Sequence, residues 1–287
     1  MNESLRAEAT REIPKSEMRS PEYCSFLESR TGESVLETVH LGIQFGGLKA
    51  VDDFNIDIKA GELVGLIGPN GAGKTTVFNM LTGVYQPTEG TVSLCGQVMN
   101  GKKAHQFVRA GIARTFQNIR LFSGMSVLDN VKVAMSGKYR YGFAGALFHT
   151  PKYRKIERER DAAARELLSI FHLEDKADLD ATQLPYGQQR KLEIARALAT
   201  DMKVLLLDEP AAGMNPSETA ELLEAIRVIR DRFGVAILLI EHDMNLVMNV
   251  CERIQVISFG VTIAEGLPHE IARNKEVIEA YLGRDNA

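Results

Sequence analysis

Apolar and polar positions follow different periods in different parts of the chain. From Leu36 to Leu41, and again through Phe54-Asn55-Ile56-Asp57-Ile58, apolar residues tend to alternate, which predicts half-buried antiparallel strands. Asp57, Lys59 and Gly61 predict a turn into the apolar run Leu63 to Ile67. The glycine-rich stretch Gly68 to Thr76 follows, then an apolar helix pattern from Val77 to Leu81 that Gly83 is placed to stop, then a short strand from Thr91 to Leu94. Between about Leu121 and Thr200 the period becomes helical, over Val127 to Met135, Ile156 to Phe171 and Gly187 to Leu198. The last of these carries an apolar stripe of Leu192, Ile194, Ala195 and Leu198. Uniformly apolar runs then return at Val204 to Leu207, Val235 to Ile240 and Ile254 to Ser258. A helix from Pro216 to about Asp231 separates the first two, and Asn215-Pro216-Ser217-Glu218 starts it with a cap, a proline at the first helical position and a glutamate that reaches back. Strands this apolar, alternating with helices, predict an α/β fold: a mainly parallel sheet with helices on both faces. An antiparallel β subdomain would join it, with a helical subdomain at about 121–200 inserted in the core.

The residues at the ends of these runs carry the candidate chemistry. Gly68, Pro69, Asn70, Gly71, Ala72, Gly73, Lys74, Thr75 and Thr76 fill the Gly-x-x-x-x-Gly-Lys-Thr template between a strand and a helix. Unpaired backbone N–H groups converge there on one small volume that suits a phosphate. Lys74 would add charge for the β- and γ-phosphates, and the Thr75 hydroxyl is placed for a magnesium ion. Asp208 and Glu209 end an apolar strand, where ligands gather in parallel sheets; the first would bind magnesium and the second could orient the attacking water as a base. His242 follows another strand end, and Gln117 lies between core and helical segment; neither signals a function by itself. Leu184-Pro185-Tyr186-Gly187-Gln188 opens a helix at a glycine, a second ready-made phosphate site. One ATP needs only one phosphate loop, so the second site makes sense in the pocket of a neighbouring subunit, in a two-fold head-to-tail dimer.

Composition narrows the partners. A net charge of -4 and a pI near 5.9 remove the electrostatic reason to propose a nucleic-acid partner. The cysteines Cys24, Cys95 and Cys251 are far apart and read as thiols of a reducing cytoplasm, and the scattered histidines predict no structural metal. Residues 1–33 are polar and hold Pro14 and Pro21 without periodicity, which reads as a loosely docked extension rather than a signal peptide. The longest apolar runs fall far short of the roughly 20 residues that cross a bilayer.

Taken together these motifs resemble an ATP-binding-cassette ATPase over about Leu36 to Gly283. The resemblance implies one ATPase domain over residues 34–287, with a P-loop NTPase core. It also implies Walker A at Gly68 to Thr76, a Q-loop glutamine at Gln117, the signature motif at Leu184 to Gln188, Walker B and catalytic carboxylates at Asp208 and Glu209, and a switch histidine at His242. Gln117, Glu209 and His242 would then serve hydrolysis, and Thr75, Gln117 and Asp208 would hold Mg2+. Phe45 is the candidate to stack on adenine, and Gly187 and Gln188 to meet the neighbour's ATP. The signature departs from Leu-Ser-Gly-Gly-Gln: Pro185 and Tyr186 replace the serine and first glycine, so the serine contact to phosphate is missing or supplied otherwise. Finer segments, among them Phe45 to Val51, Arg114 to Gln117, Ala211 to Pro216 and Glu279 to Gly283, are similar to the larger ATPase subunit of bacterial branched-chain amino acid importers. That likeness implies a separate membrane permease, a second ATPase subunit, indirectly a solute-binding protein, and a cytoplasmic place on the inner face of the membrane. Urea or amide uptake, lipopolysaccharide export and a soluble cassette ATPase are the alternatives. The insert Lys138 to Arg160, with Tyr139, Arg140, Tyr141, Lys152, Tyr153 and Arg154, is either a solvated helix connection or a surface near the permease or membrane.

Overall fold

A computed structural model of the chain describes residues 33–137, 139 and 146–282. The polar segment 1–32 and, within the insert, Lys138, Arg140 and Tyr141 lie outside the described residues.

The alternating N-terminal segments form two long strands, β1 (Ser34–Phe45) and β2 (Leu48–Lys59), joined by a tight turn at Gly46-Gly47. With β4 (Glu89–Leu94) and β5 (Gln97–Val98) they make an antiparallel sheet in the order β2-β1-β4-β5. The turn expected at Asp57 and Lys59 comes later: both residues are still paired, with Glu37 and Ser34 of β1. Ladder pairing outweighs the turn preference of single polar residues, whose side chains point outward from this sheet.

The apolar runs become β3 (Leu63–Ile67), β7 (Val204–Asp208), β8 (Ala236–Ile240) and β9 (Arg253–Ser258), all parallel. A three-residue strand, β6 (Ile112–Arg114), pairs with β7 at one edge, and the antiparallel β10 (Val261–Gly266) closes the other, giving the order β10-β9-β3-β8-β7-β6. Period-two geometry explains the continuous apolarity, because each strand feeds two cores. Leu63, Leu205, Leu207, Ile237 and Leu239 enter the core under the helices. Val64, Leu66, Val204, Leu206, Ala236 and Leu238 enter the one shared with the antiparallel sheet and with α1 (Lys74–Leu81).

After α2 (Ala104–Ala110) and β6, the chain leaves the sheet for α3 (Val127–Ala134), α4 (Pro151–Ser169) and α5 (Tyr186–Leu198), then returns as β7. The α4 helix begins at Pro151 rather than Ile156, because Thr150 caps it by accepting the Tyr153 N–H and Pro151 suits the first helical position. Of the insert's aromatics, Tyr139 is half-buried against the core. The α6 helix (Pro216–Phe233) has the capping box expected at Asn215 and Glu218, and Gly234 ends it. Past β8 come α7 (Met244–Val250), α8 (Pro268–Ile271) and α9 (Lys275–Leu282). No helix among the described residues is long and apolar enough to cross a membrane.

Candidate active site

The phosphate loop runs from the end of β3 into α1. Gly68 must be glycine: its φ is 155°, and a Cβ there would lie 2.0 Å from the Ile257 carbonyl oxygen of β9. Gly73 precedes α1 in a left-handed conformation, and no side chain caps the helix, so the loop leaves its first N–H groups to meet an anion. Lys74 is buried and donates to the carbonyls of Gly68 at 2.6 Å and Pro69 at 3.0 Å, pinning the loop over its own ammonium group. Ala72 is buried beneath the loop, Thr76 is half-buried, and Asn70, Gly71 and Thr75 are exposed.

Three segments far apart in the chain meet at the tip of β7. Asp208 receives Arg114 Nη2 at 2.7 Å, with both side chains below a tenth exposed, and the other Nη of Arg114 donates to Asn79 Oδ1 of α1 at 2.7 Å. The guanidinium lies over the rings of Phe78 and Phe116, so the aspartate is fixed to the phosphate-loop helix through one arginine. The next residue, Glu209, turns sharply, with a φ of 47° that costs a non-glycine residue about 1 kcal/mol or more. Its N–H donates to the carbonyl of Ile240, the last residue of β8, at 2.9 Å. Glu209 accepts Gln117 Nε2 at 3.1 Å through one oxygen and lies 2.6 Å from His242 Nε2 through the other. Gln117 comes off the end of β6 and His242 off the end of β8, so the parallel sheet itself delivers all three groups.

Beside them Glu241 is buried. One of its oxygens takes the Ala211 N–H at 2.8 Å and the other the His242 N–H at 3.3 Å, tying the turn after β7 to the turn after β8. Burial pushes its carboxyl above the usual glutamate range, against the pull of those two N–H groups. Tyr281 of α9 is another neighbour of the loop: burial raises its phenol, opposed by the Gly68 N–H.

Phe45 ends β1 half-exposed, its ring centroid 5.3 Å from that of Tyr85 in an edge-on pair. The same hairpin brings the Ala50 carbonyl against Gly73.

The signature segment is arranged differently from the open cradle expected of it. Pro185 precedes α5, and its carbonyl accepts the N–H groups of Gln188 and Gln189, so the Gln188 N–H is already engaged. Gly187 is buried: a Cβ there would meet the Glu218 carboxylate at 2.8 Å and Met214 at 3.2 Å, so this glycine lets α5 approach the start of α6. The Gln188 side-chain oxygen is buried without a hydrogen-bond partner among the described residues. The departure at Tyr186 has a structural use, since its ring lies against Gly213 on that same turn.

Thr75, Asp208 and Gln117 offer hydroxyl, carboxylate and amide oxygen. These are hard donors of the kind magnesium takes one or two at a time beside phosphate oxygens. The sequence assigns no role to Arg114, Asn79, Arg190 or Glu241, because each meets a partner 30 or more positions away that only the folded sheet brings close.

A glycine-rich loop opening a helix, with a carboxylate pair and its glutamine and histidine partners at neighbouring strand tips, defines a nucleotide-hydrolysing P-loop ATPase. A family model described as "ABC transporter" matches residues 51–212, and another, "Branched-chain amino acid ATP-binding cassette transporter", matches residues 261–287. The chain is 47% identical over 249 residues to the high-affinity branched-chain amino acid transport ATP-binding protein BraF of Pseudomonas aeruginosa, covering 87% of this chain and 98% of BraF. It is 46% identical to LivG of Escherichia coli, over 88% and 98% of the two chains. Among solved structures, the ADP conformation of MJ1267, an ATP-binding cassette of an ABC transporter, superposes with a TM-score of 0.74 at 29% identity, over 87% of this chain and 99% of that one. The chain belongs to the ABC transporter family, as one of its ATP-binding ATPase subunits.

Proposed function

We propose that this subunit energises import of branched-chain amino acids through a separate membrane permease, from a peripheral position on the cytoplasmic face. The observation that carries the ATPase assignment is the placing of Gln117 and His242 on the two oxygens of Glu209. A carboxylate held from both sides has one orientation, which is what a group that takes a proton from an attacking water requires. Lys74 and the loop N–H groups bind the phosphates, and Phe45 takes the adenine. Thr75, Asp208 and Gln117 hold magnesium, which neutralises phosphate charge when bound. His242 senses the γ-phosphate, and its contact with Glu209 makes the base sensitive to that group's presence. Gly187 and Gln188, at the tip of α5, complete the nucleotide pocket of a second ATPase subunit. A related cassette, MJ0796, at 26% identity and a TM-score of 0.68, is described as a dimer bound to ADP and Pi in a post-hydrolysis state. ATP bridging two subunits favours the closed pair, and departure of the γ-phosphate removes the bridge.

The choice of solute rests on the relatives. BraF and LivG stand at 47% and 46% identity, whereas the lipopolysaccharide export ATP-binding protein LptB of Escherichia coli stands at 33%. Cells lacking this chain should lose high-affinity uptake of labelled leucine and recover it with the wild-type gene. Unchanged leucine uptake, with lipopolysaccharide export or urea uptake impaired instead, would reassign the solute.

A further inference from the structure

Arg190 is the largest fully buried side chain among the described residues, and it lies one helical turn after Gly187 on α5. Removing a guanidinium from water costs several kcal/mol, so its partners indicate what it is there to hold. One Nη donates to the Phe116 carbonyl at 2.6 Å and to Glu193 Oε2 at 2.8 Å; the other donates to the Gln117 carbonyl at 2.9 Å and, at 3.5 Å, to the Glu209 carbonyl. Glu193, on the same helix, also accepts the Phe116 N–H at 3.4 Å, and burial raises its carboxyl although Arg190 and that N–H oppose the shift. The α5 helix thus grips the Phe116-Gln117 main chain through both an N–H and two carbonyls, and reaches the main chain of Glu209 with the same planar fork. Stability alone explains this poorly. Buried ion pairs are commonly matched by apolar residues of similar volume, and the Arg190 Nε–H has no acceptor among the described residues. What the fork does fix is direction: it holds the backbones of Gln117 and Glu209, the two residues whose side chains meet at 3.1 Å.

We infer that Arg190, braced by Glu193, is a positioning residue that makes the Gln117–Glu209 contact depend on the seating of α5. The helix that carries the clamp also carries Tyr186 and Gly187, so the signature tip and the clamp move as one body. Hydrolysis in one nucleotide site is thereby conditioned on where the same subunit's signature tip stands in its neighbour's site. This inference rests on the roles proposed above for Glu209, Gln117 and the signature turn.

Arg190→Lys tests it, since lysine keeps the charge but has no fork. In the assembled transporter the variant should lose roughly 10- to 100-fold in kcat while KM for ATP stays unchanged, as expected for a misplaced catalytic group. In a Glu209→Gln background, single-turnover hydrolysis should fall no further when Arg190→Lys is added. In the isolated full chain, amide exchange of residues 115–118 should accelerate in Arg190→Lys more than exchange of β3. Glu193→Gln, a milder change, should shift the same readouts in the same direction should the lysine variant fail to fold. An additive loss of kcat in the double variant would overturn the inference, as would unchanged exchange at 115–118 or a loss confined to Tm. Wild-type leucine uptake in the same preparation reports separately on the functional reading. If it is absent while the Arg190→Lys effects appear, the solute assignment falls and the clamp stands.

Discussion

At the scale of single residues, the site is built from side chains whose partners are remote in sequence. Gln117 and Glu209 are 92 positions apart, His242 and Glu209 33, and Arg114 and Asp208 94. Spacing reveals the phosphate loop because its residues serve one ligand within a single turn. It reveals Asp208-Glu209 because an apolar strand ends on them. It is silent on Arg114 and Arg190, whose roles exist only once the sheet has brought β6 beside β7. The pairing of Arg114 with Asp208 has a consequence for stability. Both side chains are nearly dry, so Arg114→Met leaves a buried carboxylate without its cation. The nucleotide-free full chain should lose about 3–5 kcal/mol in a denaturant titration, and a loss within experimental error would show that water reaches Asp208 after all.

At the scale of elements, strands with a continuous apolar pattern were legible and short or edge elements were not. β7 and β8 read as buried strands because each supplies residues to two cores. β6 has only three residues, too few for a period to register, yet it launches the segment that carries Gln117. The signature turn shows the reverse. Its glycine suggests an open phosphate cradle, but contact with Glu218 and Met214 of the α6 start gives Gly187 a packing reason as well. The loop after β3 depends on a still closer approach, to β9. A methyl group at position 68 would sit 2.0 Å from the Ile257 oxygen. Gly68→Ala should therefore displace the loop and weaken ATP binding at least tenfold, about 1.4 kcal/mol, while the circular dichroism of the sheet is kept. ATP affinity equal to wild type in that variant would mean the strand and loop separate easily.

At the scale of the whole molecule, the central sheet stands between two cores with different uses. One joins it to the antiparallel sheet and α1, which hold the phosphate loop and Phe45. The other joins it to α3, α4 and α5, the last beginning beside the turn that precedes α6. The phosphate loop and the start of α5 thus belong to opposite sides of one sheet, and the strand tips between them carry Asp208, Glu209 and His242. The α/β architecture was legible from the change of hydrophobic period, and the chain's place in the family from the order of its motifs. How the strand tips are tied to α1 on one side and to α5 on the other, through Arg114 and Arg190, required the packed structure.

The most direct test of the account is the rate of ATP hydrolysis by Glu209→Gln, measured with ATP binding in the same preparation. Glutamine keeps the side chain's shape and an acceptor for Gln117 but cannot take a proton from water. Hydrolysis should fall by roughly 100-fold or more while ATP remains bound. A rate equal to wild type would show that the carboxylate gripped by Gln117 and His242 is not the base.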